Sequence, residues 1–202
     1  MKLECLAKNP RLEFTLQMRK DYPEVYELNY GKSFIHPSVE VFPWVEIGER
    51  VIIHKGVTLG TQGFGFEENE DGNYLHIPHI GKLIIEDDVE IFEYCNVARG
   101  TVENTIVGKG TKIDAFCHIG HNVQIGKNCM ITAHSILGGS SRIGNNVYIG
   151  LNSTVIDHAV ISEGAYIGQG SNVISNIVEP DSVWVGNPAR FLRKRLNYEK
   201  IS

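Results

Sequence analysis

Eight histidines are spread along the chain, His36, His54, His76, His79, His118, His121, His134 and His158. Histidine is the side chain whose proton affinity suits transfer chemistry near neutral pH. His121 and His158 stand out by their spacing. Eighteen residues beyond His121 is Gly139, and eighteen further is Asp157, the neighbour of His158. If the chain returns to the same place every eighteen residues, His121, Gly139 and Asp157 stack on one wall, about 4.8 Å apart per layer. His158 then lies roughly 10 Å above His121. Between them runs Gly138-Gly139-Ser140-Ser141, nearly free of side chains, where a substrate could approach the backbone. Such a set could take a proton from a nucleophile and offer a fixed N–H to a developing oxyanion. The four cysteines, Cys5, Cys95, Cys117 and Cys129, have no CxxC spacing, and no paired-histidine ligand pattern accompanies them, so no metal is expected.

The return every eighteen residues has its own signature. Stepping by six from Val107 gives Val107, Ile113, Ile119, Ile125, Ile131, Leu137, Ile143, Ile149, Val155, Ile161, Ile167 and Val173. With such residues at roughly a quarter of positions, chance gives this on the order of 10⁻⁷ of the time. Ile35, Val41, Ile47, Ile53 and Leu59 share the period, and Ile85, Ile91 and Val97 continue it before a gap of ten residues to Val107. Four residues after each aliphatic comes a small or β-branched one, such as Thr111, Cys117, Val123, Cys129 and Ser135. That position and the next aliphatic are two apart, so they share the inner face of a short strand. Cys95, Cys117 and Cys129 all fall there and are expected to be core residues. Glycine often follows the aliphatic, as in Gly108, Gly120 and Gly138, which predicts corners with positive φ at that glycine. Short strands with tight corners cannot bury a face alone, so they must stack as a solenoid.

The bulk numbers agree with a soluble domain. The 202 residues are 42% apolar and 21% charged, enough for one sizeable core. A net charge of −5 argues against nucleic acid as a partner. No run reaches the ~18 apolar residues of a membrane span, and the first residues are broken by charge too early for a signal peptide. A cytoplasmic protein is expected.

The aliphatic-Gly-x-x-small-x pattern resembles the hexapeptide-repeat acyltransferases, whose fold is a three-sided, left-handed parallel β-helix with 18 residues per coil. The left hand comes from that resemblance alone, since general rules for parallel connections favour right-handed crossovers. A narrower resemblance runs through Gly63-Phe64-Gly65-Phe66, the segment 77–91, Ala98-Arg99-Gly100 and residues 113–126 with His121-Asn122-Val123. These look like the UDP-3-O-acylglucosamine N-acyltransferases of lipid A synthesis. The resemblance implies that His121 is the base, Asp114 its supporting acid, Gly139 the backbone donor to the oxyanion and His158 a second site histidine. It implies that Asp157, Phe64, Phe66, His118 and Arg99 contact substrate. The chain departs from that family where Ala98 replaces a usual Asp and His118 a usual Gln, and where only 33 residues, with no uridine-binding domain, precede the coils.

The expected organisation is an N-terminal cap over residues 1–33, a β-helix over 34–187 with a loop insertion at 60–82, and a C-terminal helix or tail over 188–202. The insertion reads either as a functional loop or as a surface hairpin whose aromatics pack on the wall. The ending Gly186-Asn187-Pro188-Ala189 resembles coenzyme A-dependent hexapeptide acetyltransferases, which places Gly186, Asn187, Arg190 and Arg193 at the carrier's phosphates. A solvated helix face is the alternative for the basic residues Arg190, Arg193, Lys194 and Arg195.

These features point to transfer of a short acyl group, acetyl, from acyl-CoA to the amine of a nucleotide-linked amino sugar for cell-surface polysaccharide. Acyl-CoA is a co-substrate and no cofactor is permanently bound. A long acyl chain needs an apolar groove, whereas Gln169 and Asn172 are polar where it would lie. A homotrimer is expected from the flat walls. The rivals are a lipid A-type enzyme using an acyl carrier protein, a zinc enzyme of the γ-class carbonic anhydrase kind and a non-enzymatic structural solenoid. The second wants histidines five apart, and His118 and His121 are three apart. The third expects regular corners, and these are irregular and marked by histidine.

Overall fold

The computed structural model describes residues 9–23 and 32–196. From Phe34 onward the chain winds into a three-sided solenoid of about eight coils. Each coil lays one short strand into each of three sheets, in which all pairings but the last are parallel. In one wall Ile119 pairs with Leu137, Leu137 with Val155, and Val155 with Val173, the eighteen-residue step written as register. Val97 pairs with Ile119 across twenty-two residues, because the four extra residues between Val97 and Val107 bulge outward and leave the stacking intact.

The core is a single column. All twelve aliphatics from Val107 to Val173 are at most 3% exposed. Each contributes roughly 1.5–3 kcal/mol by leaving water. The small residues opposite them are buried too, and most of their polar atoms are bonded, the Ser141 hydroxyl excepted. Thr111, Ser135 and Ser153 donate their hydroxyls to the carbonyls of Gly126, Gly150 and Gly168, at the same corner of the next coil. Cys129 does the same with its thiol, to Gly144 O at 3.1 Å. Burial pushes the Cys129 thiol up to about 11, which suits a packing role. Cys5 lies outside the described residues.

The corners differ from the sequence expectation. Positive φ falls three residues after most of the aliphatics, at Asn122, Asn128, Ser140, Asn146 and His158 among others, and not at the glycine directly after them, Gly60 excepted. Those glycines are needed for clearance. A Cβ on Gly108 would stand 2.4 Å from Gly126 O, and one on Gly138 2.5 Å from Asp157 N. The next coil's backbone occupies the space where a side chain would begin.

Both ends also differ. The helix Pro10–Asp21 is capped by Asn9, whose Oδ1 accepts the Leu12 N–H, but buries no residue. Ile35 and Val41 in the first coil remain about 40% exposed, so among the described residues this helix does not close the solenoid. At the other end Arg190–Lys194 is a strand, not a helix, antiparallel to Ser182–Val185. The last coil presents a row of unpaired N–H and C=O groups, and a returning strand satisfies them where a helix could not. Residues 197–202 lie outside the described residues.

The 60–82 insertion is a hairpin of Phe66–Glu68 against Tyr74–His76. Its base is pinned to the neighbouring corner. Arg99 N–H donates to Thr61 O, and the N–H groups of Ile80 and Gly81 both donate to Thr101 O.

Candidate active site

The hairpin arches over the corner that follows the strand His118–Ile119, and beneath it is a cavity of about 440 Å³. His118, His121, Gly139, Asp157, His158 and Phe64 all line it. The eighteen-residue step therefore brings together the stack expected from the sequence, and the insertion forms its roof.

His121 is held in one tautomer. Its Nδ1 lies 2.9 Å from Asn122 Oδ1. The Asn122 amide cannot be turned round, because Oδ1 also accepts the Thr101 N–H at 3.0 Å and Nδ2 donates to Glu103 O at 3.0 Å. An acceptor facing Nδ1 requires the proton there, which leaves the lone pair on Nε2. Nε2 faces Gly139: a Cβ on Gly139 would be 2.8 Å from it. On its other side, a Cβ on Gly63 would be 2.7 Å from the His121 Cβ and Cδ2. The ring thus lies in a slot between two glycines, one from the hairpin and one from the next coil. The Gly139 N–H has no backbone or side-chain acceptor among the described residues, whereas its carbonyl accepts the His158 N–H at 2.9 Å. A free N–H beside a basic nitrogen can stabilise an oxyanion while the base takes a proton.

The upper cavity is polar. His158 Nε2 is 3.9 Å from Asp157 Oδ2, and both side chains are largely exposed. His118 sits on the outer face of its strand, with its pKa lowered by desolvation and secondarily by His121. Phe64 is 91% exposed at the cavity mouth, edge-on to Phe66. Phe66 packs against His76 and does not line the cavity.

Several expected site residues are elsewhere. Asp114 occupies the corner before the strand His118–Ile119, while His121 occupies the corner after it. Its carboxylate accepts the N–H groups of Ala115 and Ala133, and Asn122 is the partner of Nδ1 in its place. Arg99 is 7% exposed, with its guanidinium 3.8 Å from the centre of the Trp44 ring and Nε donating to Gly81 O. Burial lowers its pKa. It clamps the hairpin's base and does not line the cavity. Gly186 and Asn187 close the far end of the same wall, where Asn172 N–H donates to Gly186 O and Asn172 Nδ2 to Asn187 Oδ1. They stand four coils above His118, roughly 19 Å. Arg190 and Arg193 lie in the terminal strand, each donating to a nearby main-chain carbonyl.

The residues not legible beforehand as parts of the site are Asn122, Thr101, Gly63 and His79. His79 is 3% exposed and its ring lies 5.2 Å from that of His121, nearly perpendicular. Only the hairpin's return path brings it there, forty-two residues before His121 in sequence.

Comparison with known proteins gives a consistent result. Residues 104–139 match the family model of the bacterial transferase hexapeptide (six repeats). UDP-3-O-acylglucosamine N-acyltransferase of Coxiella burnetii (strain RSA 493 / Nine Mile phase I) is 41% identical over 90 residues, 45% of this chain and 26% of that protein. UDP-3-O-acylglucosamine N-acyltransferase 2 of Rhodopseudomonas palustris (strain BisB18) is 48% identical over 77 residues, 38% of this chain and 20% of that protein. The matched part is about a quarter or less of those relatives' length. Among solved structures, a UDP-N-acetylglucosamine acyltransferase of Bacteroides fragilis 9343 superposes with a TM-score of 0.70 at 21% identity, covering 80% of this chain and 60% of that one. The UDP-N-acetylglucosamine O-acyltransferase of Moraxella catarrhalis RH4 gives 0.61 at 19%, covering 81% and 73%. The fold is the left-handed β-helix of the hexapeptide acyltransferases.

Proposed function

We propose that this chain is an N-acyltransferase that moves a short acyl group, acetyl, from acyl-CoA to the amine of a nucleotide-linked amino sugar. His121 is the general base. The observation that carries the reading is the tautomer lock: the Asn122 amide holds the His121 proton on Nδ1 and leaves Nε2 free beside an unengaged Gly139 N–H. Similarity over 90 and 77 residues to two proteins named UDP-3-O-acylglucosamine N-acyltransferase supports the acceptor class.

In the reaction the amine nitrogen attacks the thioester carbonyl and Nε2 takes a proton from that nitrogen. The Gly139 N–H donates to the oxyanion, an interaction worth a few kcal/mol when preorganised. Collapse expels the thiolate, which recovers the proton from His121 as the amide forms. Asp157, His158, His118 and Phe64, placed around the cavity, bind the acceptor.

The donor reading rests on the wall above the base. Thr154 Oγ1 donates to Asn172 Oδ1, and Asn172 Nδ2 donates to Asn187 Oδ1, a polar chain leading to Gly186. An extended pantetheine arm has hydrogen-bonding amides to match, whereas an alkyl chain there forfeits ~0.8 kcal/mol for each CH₂ left in polar surroundings. We assign Gly186, Asn187, Arg190 and Arg193 to the carrier's end. A homotrimer is part of the proposal, argued from the extended flat walls that the three sheets present. The reaction would take place in the cytoplasm and feed cell-surface polysaccharide.

A second reading, a lipid A-type enzyme using an acyl carrier protein, is favoured by the named relatives. One assay separates the two. Thiol release and product mass are followed on one UDP-linked amino sugar with acetyl-CoA and with a C12–C14 acyl carrier protein. Turnover with acetyl-CoA supports the proposal, and preference for the long chain overturns the donor assignment. His121→Ala should lower kcat by ~10²–10⁴ without loss of folding, and His158→Ala by less. Full activity in His121→Ala would remove the base from the mechanism.

A further inference from the structure

His79 is a buried histidine with a nitrogen that nothing satisfies. Its N–H donates to Gln62 Oε1, and its Nδ1 bonds to Ile77 O at 2.8 Å. A carbonyl partner requires the proton on Nδ1, so Nε2 carries a lone pair. That Nε2 has no hydrogen-bond partner among the described residues, although the side chain is 3% exposed. Leaving a buried polar atom unpaired is costly enough to require an explanation, and an apolar side chain would avoid it.

The surroundings supply one. Nε2 faces Gly63, where a Cβ would be 2.4 Å from it, and the next group beyond Gly63 is the Cβ–Cδ2 side of His121. His76 stacks on the other side of His79 at 5.6 Å and bonds through Nε2 to Gly63 O, so two histidines hold this peptide against the His121 ring. We infer that His79 is a positioning residue for His121: its Nε2 lone pair, acting across Gly63, orients the ring within its slot and favours its protonated form. This rests on His121 being the base. When His121 takes a proton its ring C–H edge becomes more positive, and a fixed lone pair directed at that edge stabilises it without reorganising.

The same geometry makes the two protonations compete. Around His79 the charged or titratable groups are His121, His76 and Arg99, all of which disfavour a cation there, in addition to desolvation, the largest effect. Around His121 the cavity adds His118, Asp157 and His158. Desolvation and these neighbours together favour the neutral form of His79.

The test is an NMR titration of the histidine C–H resonances in the full chain, with His121→Gln used to assign His121. Replacing the lone pair by a methyl group, His79→Leu, should lower the His121 midpoint by ~0.5–1 unit. His79→Gln, which can turn an amide oxygen to the same place, should restore most of it. His79→Met serves in place of His79→Leu if that variant does not fold. An unmoved His121 midpoint in the apolar variants, or a shift that His79→Gln does not restore, overturns the inference. The titration needs no substrate, so it stands whether or not the donor and acceptor are correct. In turnover, the apolar variants should lose kcat by ~3–10-fold with KM little changed, whereas a purely structural role would leave both the midpoint and the kcat–pH profile unmoved.

Discussion

The Nε2 of His121 stands 2.8 Å from the point where a side chain on Gly139 would begin. The base therefore lies against Gly139 of the next coil, and the absence of a side chain there makes that approach possible. Gly139→Ala should push the imidazole out of its slot without straining the backbone, since Gly139 has no positive φ. A displacement of about 1 Å can cost ~10²-fold in rate, so kcat should fall ~10–100-fold with a melting temperature near wild type. Wild-type kcat in this variant would show that the contact is not used.

Asn122→Asp replaces the neutral acceptor at Nδ1 with a carboxylate. An adjacent anion stabilises the imidazolium, so the acid limb of the kcat/KM profile should move up by ~1 unit. At a pH just below neutral the variant should be slower, and at higher pH it should recover. Asp also tolerates the left-handed backbone of this position, φ +60, so the fold should persist. An unchanged profile would mean that Nδ1 is not bonded to Asn122 during catalysis.

Two corner glycines should behave oppositely. Gly108 has ordinary φ, but a Cβ there would meet Gly126 O at 2.4 Å; Gly170 has φ +65 with nothing within 4 Å. Gly108→Ala should cost ~1–3 kcal/mol by forcing two coils apart. Gly170→Asn should be close to neutral, because asparagine accepts that backbone. Urea midpoints compare them, and equal effects would contradict the clearance argument.

Asp88 supplies a pH dependence. Its hydrogen bond to Arg50, with the charge of that residue and of Lys109, lowers its pKa to about 2. A carboxylate depressed in the folded state stabilises above its unfolded pKa of about 3.9 and loses that contribution as pH falls through the folded value. Wild type should therefore exceed Asp88→Asn in thermal midpoint at pH 5, with the gap closing between pH 4 and pH 2. A gap constant over that range would mean the pair does not contribute through charge.

Light scattering with the activity assay tests the assembly. A trimer is expected at micromolar concentration, and a fully active monomer would remove the assembly from the proposal.

The hexad period determined a stacked solenoid and its inner face, and the three-sided coil implied by the resemblance turned that period into the His121–Gly139–Asp157 stack; every aliphatic from Val107 to Val173 is buried accordingly. Cys95, Cys117 and Cys129 were legible as core from the same period. The remainder depends on contacts between segments that do not share the period. The hairpin that carries Gly63 and His79 has no repeat of its own, so only its pinning to Thr101 and Arg99 brings it over His121. Arg99 falls at the right corner by coil counting, yet Trp44 and Gly81 turn its guanidinium away from the cavity. The glycines after each aliphatic were visible in the sequence, but their reason is the backbone one coil away, and only the stacked coils show it. Residues 188–202 read as a helix or tail in the sequence, and the unpaired edge of the last coil decided for a strand at 190–194. Local periodicity determines which face of each strand is inward, and tertiary packing decides which side chains meet outside that column, where no single period relates them.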